Sequence, residues 1–257
     1  MNRRNFLLTA SGALAAPLTA APAARSIIEL RYMRLRNTAD NQMQRTTDFL
    51  RRSVPALKRS GISPLGFFAS VIGDESPFIL AMATFPSMSA MESARAREAE
   101  DKEYIQARDA YNAAPTLSYQ RLESSLLRCF EGAPNVVPPP TGAQQPPRVF
   151  ELRMYESNSS ATLARKIKMF HEGEIGIFKR LGMQPVFFAE TVIGARMPNL
   201  VYMLAFDNLA AREKLWQAFG ADPEWQKLRS QPGNNDLENV SNISNSILRP
   251  LPFSDIR

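Results

Sequence analysis

Two short apolar segments carry the side chains of this sequence that are best suited to chemistry. The first contains Glu29 and Arg31, and the second contains Glu151, Arg153 and Tyr155. Residues two positions apart lie on the same face of an extended strand, so each segment presents a carboxylate beside a guanidinium. A guanidinium can bind an anionic group through two parallel hydrogen bonds, and a tyrosine adds a hydroxyl that donates or accepts.

These charged residues have two interpretations. They can pair with each other, or with partners across an interface between structural units, because a buried charge is costly unless it is paired. Alternatively, they line a polar ligand pocket in which Arg153 binds an anionic group and Tyr155 contributes its hydroxyl. Met33 stands in place of the tyrosine in the first segment, so such a pocket is expected to be asymmetric.

His171, the only histidine, is a candidate general base or haem ligand. A helical period puts it on the same side as Ile167, Ile175 and Phe178, which predicts an inward-facing side chain. The alternative is a helix histidine with a local hydrogen-bond partner. Zinc sites usually draw on clustered histidines and cysteines, so the lone histidine predicts no metal site. We expect no other cofactor.

Other residues predict structural roles. The sequence contains no Gly-rich phosphate loop and no GxSxG, CxxC or HExxH motif. Cys129 is the only cysteine, which predicts a structural thiol and no intramolecular disulfide. The adjacent Phe187 and Phe188 are expected in the core, with one of them facing the interior. Arg212 is expected to form an ion pair on a helix surface or between a helix and a loop.

The residues after position 148 predict elements in the order β-α-β-β-α-β. Periodicity and turn residues place these elements. Gly182 is a predicted helix C-cap, and Asp222 followed by Pro223 predicts the start of a short helix. The predicted bounds are a strand at 149–155, a helix at 160–181, strands at 185–193 and 199–206, a helix at 208–219 and a strand at 240–248.

The first half of the chain repeats this unit. Matching peptides recur at offsets of 120 to 122 residues, which indicates a tandem duplication. Proline-rich residues 132–148 predict an extended, semi-rigid linker without a core of its own. The predicted organisation is a leader at 1–24, domains at 25–131 and 149–257, and this linker.

The predicted fold class is α+β, with two ferredoxin-like units. Each unit has an antiparallel sheet with helices on one face, so the other face is left to be covered. Packing the two sheets together predicts an intramolecular dimeric α/β barrel. We expect the apolar strand face with Phe150, Leu152 and Met154 to pack on the helices. The Glu/Arg face is then expected to point into the barrel.

Four segments of the second unit resemble the NIPSNAP family of the dimeric α/β-barrel superfamily: "FELRMY" at 150–155, "NLVYMLAFDNLAARE" at 199–213, "DPEW" at 222–225 and "ILRPLPFS" at 247–254. The resemblance covers 149–254, and more loosely 27–130. It implies the barrel but no established reaction; related barrels include monooxygenases, haem-degrading enzymes, isomerases and haem-dependent dismutases. The first unit has "DKEY" in place of "DPEW" and lacks the Pro-Phe-Ser ending, so a site it shares with the second is expected to be degraded.

The N-terminus resembles a twin-arginine export signal. Arg3 and Arg4 precede a modest apolar stretch, with cleavage expected near Ala23–Ala24. This predicts a periplasmic or otherwise extracytoplasmic protein without a transmembrane segment after leader removal. The basic residues behind the net charge of +6 are dispersed along the chain, which does not favour nucleic-acid binding.

The sequence therefore predicts an exported barrel protein that binds a small molecule in the barrel or a partner protein, and it leaves a homo-oligomer open. The alternative is a monooxygenase- or isomerase-like enzyme that uses the Glu/Arg/Tyr set. Nothing in the sequence decides whether the protein is catalytic.

Overall fold

The computed structural model of the chain describes residues 24–37, 39–140 and 147–257. Arg3, Arg4 and Ala23 lie outside the described residues, so the export signal and its cleavage remain predictions. Within the described ranges, no helix combines the length and apolar character needed to cross a membrane.

The first unit follows the predicted order with one additional helix. Its elements are β1 Ile27–Arg34, α1 Gln42–Arg59, β2 Leu65–Ile72, β3 Phe78–Phe85, α2 Met88–Glu100, α3 Lys102–Asn112 and β4 Arg121–Cys129. Asp101 caps α3, because its Oδ1 accepts from the backbone N–H groups of Glu103 (3.0 Å) and Tyr104 (3.1 Å). The sequence divergence in this unit therefore keeps the cap.

The second unit has its strands where the sequence predicts them. Its elements are β5 Val149–Glu156, α4 Ser160–Met169, a π-helical turn Phe170–Glu174, α5 Ile175–Arg180, β6 Gln184–Ile193, β7 Asn199–Phe206, α6 Leu209–Ala221, α7 Pro223–Arg229, α8 Asp236–Asn239 and β8 Asn242–Pro250. Asp222 caps α7 with Pro223 at its first turn, as predicted. Gly182 ends α5 at φ +85°, a conformation that favours glycine.

The strands of both units close into one antiparallel barrel in the order β1-β3-β2-β8-β5-β7-β6-β4. Each unit contributes four consecutive strands of this order. The units are joined at two seams, where β2 pairs with β8 and β4 pairs with β6. Closure leaves no unpaired strand edge among the described residues, and the predicted fold class is confirmed.

The prediction of which strand face lines the barrel is wrong. Phe150 and Leu152 belong to the apolar cluster that fills the barrel, with Phe187 and Cys129. Glu29, Arg31, Glu151, Arg153 and Tyr155 instead lie between the sheet and the helices of their own units, as their contacts below show. An eight-stranded barrel has an interior just wide enough to be filled by side chains, and here apolar side chains occupy its middle. The helices instead supply polar partners to Glu29 and Glu151.

The described part of the 132–148 linker lies against the barrel. The backbone N–H of Ser26 donates to the carbonyl of Pro134 (2.8 Å), and that of Val137 donates to Val186 (2.8 Å). The Arg148 guanidinium donates to the carbonyl of Pro140 (2.7 Å). These contacts fix both ends of the connection between β4 and β5.

Candidate functional site

In the second unit, Glu151 of β5 is the centre of a buried polar network. Its side chain has no solvent exposure. It accepts hydrogen bonds from Arg153 (2.8 Å), from two nitrogens of Arg212 (2.7 and 2.8 Å) and from the indole N–H of Trp216 (2.7 Å). Burial acts to raise the pKa of Glu151, but the hydrogen bonds and charges of Arg212 and Arg153 outweigh it and hold the pKa below its usual value.

Arg153 extends this network toward two tyrosines. Its Nη2 donates to the Tyr155 hydroxyl (3.1 Å), which is 3.0 Å from the hydroxyl of Tyr202 on β7. The guanidinium also lies 4.5 Å from the centre of the Trp216 ring, within the range of a cation–π contact. The structure places Glu151, Arg153 and Tyr155 on one face of β5, and their partners come from α6 and β7 of the same unit.

Lys166 forms a second buried ion cluster beside these tyrosines. Its ammonium lies 3.0 Å from Asp236 and 3.3 Å from Glu174. The rings of Tyr155, Phe170 and Trp225 surround it at 5.3–5.5 Å. Lys166 thus has its charge satisfied and is not placed as a free nucleophile.

Aromatic side chains fill the remaining space of the second unit. Phe170, Phe178, Phe188 and Tyr202 all lie within about 6.4 Å of one another, centre to centre, in pairs that include stacked and edge contacts. All four are essentially buried. The Glu/Arg/Tyr set of this unit therefore belongs to a packed interior rather than to an open pocket.

The first unit repeats the Glu/Arg pair with different partners. Arg31 donates through Nε to Glu29 (2.7 Å), and the Ser124 hydroxyl donates to the same carboxylate (3.1 Å). Arg95 of α2 donates to both Glu29 and Glu98. Arg95 occupies the position that Trp216 has in the second unit, at an offset of 121 residues.

Burial and neighbouring charges shift the pKa values of Glu29 and Tyr104 in this cluster. Burial acts to raise the pKa of Glu29, but the charges and hydrogen bonds of Arg31 and Arg95 outweigh it and leave the pKa lowered. Burial, with the nearby Glu98 carboxylate, raises the pKa of Tyr104 to about 12. Glu29 is therefore an ionised acceptor and Tyr104 a neutral hydroxyl near pH 7.

An open cavity lies beside this cluster, between the sheet of the first unit and its helices; we call it the first-unit cavity. The space in it that is open to water-sized molecules is about 60 Å³. Its polar wall is Glu29, Arg31, Arg95, Glu98 and Tyr104. The rest is mainly apolar, with contributions from Phe49, Leu50, Leu57, Ile62, Leu65, Phe67, Ala81 and Ala83.

Small residues on β3 create this space. Ala81 pairs with Arg31 where Tyr202 pairs with Arg153, and Ala83 pairs with Glu29 where Leu204 pairs with Glu151. Met33 replaces Tyr155 as well. The first unit, in which the sequence predicts a degraded site, is thus the unit whose Glu/Arg pair borders a cavity.

Met33 in place of a tyrosine also removes a hydrogen-bond acceptor from Arg31. In the second unit Tyr155 accepts from Nη2 of Arg153. Among the described residues, Arg31 hydrogen-bonds only through Nε, to Glu29. Its terminal nitrogens are therefore donors without a protein partner at the wall of the first-unit cavity.

His171 does not face inward as predicted. It lies exposed in the π-helical turn, with its ring 5.5 Å from that of Phe130. A Cβ on Gly132 would come within 2.5 Å of its Nδ1, so the linker backbone covers one edge of the ring. His171 lines a depression that is open to solvent, whereas a haem ligand has to face a cavity that encloses the haem, so the structure does not support the haem interpretation. In the described ranges no group of three or more His, Cys, Asp or Glu side chains is placed to hold a metal ion.

The sequence missed Arg95, Glu98, Arg212 and Trp216 as members of these clusters. Arg212 is not on the helix surface as expected, because it reaches the buried carboxylate of Glu151. A comparison of the two units could have identified Arg95 and Trp216. Arg95 follows Glu29 by 66 residues, and Trp216 follows Glu151 by 65 residues. A guanidinium or an indole N–H on the sheet-facing side of a helix needs a buried acceptor.

The fold is similar to that of solved structures named "putative monooxygenase". One, from Lactobacillus acidophilus, has 9% identity and a TM-score of 0.55 over 88% of this chain and 94% of that chain. Another, from Fusobacterium nucleatum, has 7% identity and a TM-score of 0.56 over 89% and 93%. Identities this low establish the similarity of the fold alone. No curated protein matches the sequence.

The NIPSNAP family model matches the chain twice, over residues 28–134 and 150–255. The two matches coincide with the two halves of the barrel. They contain both Glu/Arg strands and the helices that supply the partners of those strands. The chain belongs to the NIPSNAP family.

Proposed function

We propose that the protein binds a small, mostly apolar molecule carrying a carboxylate or carbonyl group in the first-unit cavity. The observation that carries this proposal is an open cavity with unpaired guanidinium donors on its wall. Ligand sites commonly combine an apolar lining with a few polar groups that fix orientation.

The hydrogen bonds around the cavity support the choice of head group. Glu29 and Glu98 are each bonded to Arg95, and Glu29 is also bonded to Arg31 and Ser124. The two carboxylates thus have their own donors, whereas Arg31 keeps donors to spare. An oxygen acceptor on the ligand would satisfy them with a charge-assisted hydrogen bond.

The monooxygenase- or isomerase-like alternative has weaker support. It relies on resemblance to barrels of 7–9% identity, and one fold hosts many unrelated reactions. The Glu/Arg/Tyr set that the alternative requires is packed among aromatic rings. We therefore treat binding, not catalysis, as the function that the geometry favours.

Octanoate is a suitable probe, because it joins a short hydrocarbon chain to a carboxylate. We expect calorimetric titration to show saturable binding. Arg31→Met should weaken it about tenfold or more, since a hydrogen bond to a charged group contributes about 1.5–3 kcal/mol. Ala81→Leu should abolish binding by filling the cavity.

Two comparisons make this test specific. Tyr155→Phe alters the matching position of the second unit and should leave octanoate binding unchanged. Octylamine has the same chain with the opposite charge and should bind at least tenfold more weakly than octanoate. Absence of octanoate binding, or equal binding by the Ala81→Leu variant, would rule out this site.

We also propose that the protein acts outside the cytoplasm, on the strength of the Arg3–Arg4 pair before an apolar stretch. Replacing both arginines by lysine should retain the protein in the cytoplasm of a bacterium that has the twin-arginine pathway. Cell fractionation measures this, and mass spectrometry of the exported chain gives the cleavage position. Unchanged export of the lysine variant would contradict the proposal.

A further inference from the structure

A second cavity opens at one end of the barrel, on the opposite side of the sheet from the first-unit cavity. We call it the barrel mouth. The space in it that is open to water-sized molecules is about 130 Å³, and both units line it. The lining residues that matter here are Tyr32, Ser125, Met154, Arg196, Ser244 and Ser246.

The mouth is built from equivalent parts of the two units. Ser125 on β4 and Ser246 on β8 are 121 residues apart, as are the loop glycines Gly73 and Gly194. A Cβ on Gly194 would lie 2.5 Å from the Ser125 hydroxyl, and a Cβ on Gly73 would lie 2.8 Å from the Ser246 hydroxyl. Each loop thus needs a glycine to accommodate the serine of the other unit.

The charged groups around the mouth are paired with each other. Arg34 donates to Glu123 (2.8 Å) and to the carbonyl of Asp74 (2.8 Å). Arg196 donates to the Ser244 hydroxyl (3.1 Å) and lies 3.7 Å from the Asp74 carboxylate, so it links the loops of the two units. Arg121, which lies outside this lining, pairs with Glu75 and Glu123 of the mouth. Three arginines thus balance three carboxylates.

Three hydroxyls at the mouth have no hydrogen-bond partner among the described residues. Among the described residues, no partner accepts from or donates to the hydroxyl of Tyr32, Ser125 or Ser246. The Tyr32 ring is fixed between Phe78, at 5.3 Å, and the Arg34 guanidinium, at 4.7 Å. Burial raises the pKa of Tyr32 to about 12, so its hydroxyl is neutral and can both donate and accept.

We propose that the barrel mouth binds a small neutral polyol or monosaccharide. Balanced charges give no preference for an ion, whereas hydroxyls that donate and accept match a ligand rich in hydroxyls. Met154 and Leu152 provide an apolar floor for its carbon chain. This site is separate from the proposed carboxylate site, because the sheet lies between them.

Xylitol and glucose are the probes for this site. Titration of the full chain, followed by amide NMR shifts, should show saturable binding of at least one of them at roughly millimolar concentration, as expected for about ten non-hydrogen atoms. The amides of Gly73 and Gly194 should shift most. The Tyr32→Phe/Ser125→Ala/Ser246→Ala variant removes the hydroxyls without adding volume and should bind at least tenfold more weakly.

Ala81→Leu is the matched control, since it fills the first-unit cavity and should leave the polyol affinity unchanged. Near-UV circular dichroism checks that the triple variant is folded; if it is not, Ser246→Ala alone should weaken binding about threefold. The proposal is overturned if neither probe binds the native chain, or if the hydroxyl variants bind the probe as tightly as the native chain does. Competition between octanoate and the polyol probe would also overturn it. Failure of octanoate to bind anywhere would leave this test unaffected.

Discussion

Glu29 and Glu151 occupy equivalent positions on β1 and β5, but their surroundings give them different roles. Glu151 takes its donors from an arginine and an indole of α6 and is sealed by aromatic rings. Glu29 shares Arg95 with a second carboxylate, Glu98, and borders open space. The Glu/Arg pair therefore stabilises the packing of helix on sheet in both units. Only in the first unit does it also reach a cavity.

The Glu151 network predicts a specific sensitivity to acid. The pKa of Glu151 is lowered in the folded state, so the folded protein binds fewer protons than the unfolded chain. The stabilisation is present above the usual carboxyl pKa of 4.5 and is lost as the pH falls through the lower folded value. Glu151→Gln should cost about 3–5 kcal/mol at pH 7, because it removes the negative charge that compensates the largely buried Arg153 guanidinium.

Urea unfolding between pH 7 and pH 3 measures this effect. The free energy of unfolding of the native protein should fall more steeply below pH 4.5 than that of the Glu151→Gln variant. Glu213→Gln, on the exposed face of the same helix, should change stability by less than about 0.5 kcal/mol. Parallel pH curves for the native and Glu151→Gln proteins would contradict the assignment.

Single elements differ between the units in ways that explain the cavity. β7 is buried along its whole length, whereas β3 has Ala81 and Ala83 only partly buried at the matching positions. The long helix α1 is continuous, but its counterpart is α4, a π-helical turn and α5. A π-helical turn shifts the helical phase. Periodicity alone therefore misplaced His171.

Lys166 and Glu174 are a second case in which hydrophobic periodicity does not predict the orientation of a side chain. Both are charged and both are almost completely buried, so a hydrophobic pattern assigns them to the solvent side. In the structure they take the inward stripe of the helix and pair with each other. Hydrophobic periodicity does not predict buried polar pairs of this kind, because it considers the polarity of each residue and not the partners available to it.

At the scale of the whole molecule, the barrel depends on both units. β2, β4, β6 and β8 are the strands that meet at the two seams. A single unit would expose two strand edges, which readily pair with another chain. The tandem arrangement supplies that partner within one chain, and the linker contacts hold the connection against the barrel.

An isolated second unit, residues 149–257, should therefore form a homodimer. Its β6 would pair with β8 of the second copy at both seams and restore an eight-stranded barrel. Size-exclusion chromatography with light scattering should give twice the mass of the unit. The full chain measured alongside gives the mass of the intact barrel for comparison. A folded monomer of the isolated unit would show that the seams are not required.

Sequence alone determined the duplication, the order of elements, the caps at Asp222 and Gly182, and the barrel fold. Each of these follows from local periodicity, from turn chemistry or from a repeated pattern. The direction of the Glu29 and Glu151 faces, and the unit that holds the cavity, were decided by the tertiary structure. Alternation along a strand tells which residues share a face, but not which face meets the helices. That choice depends on how much space the closed barrel leaves, and on where the helices bring donors to a buried carboxylate.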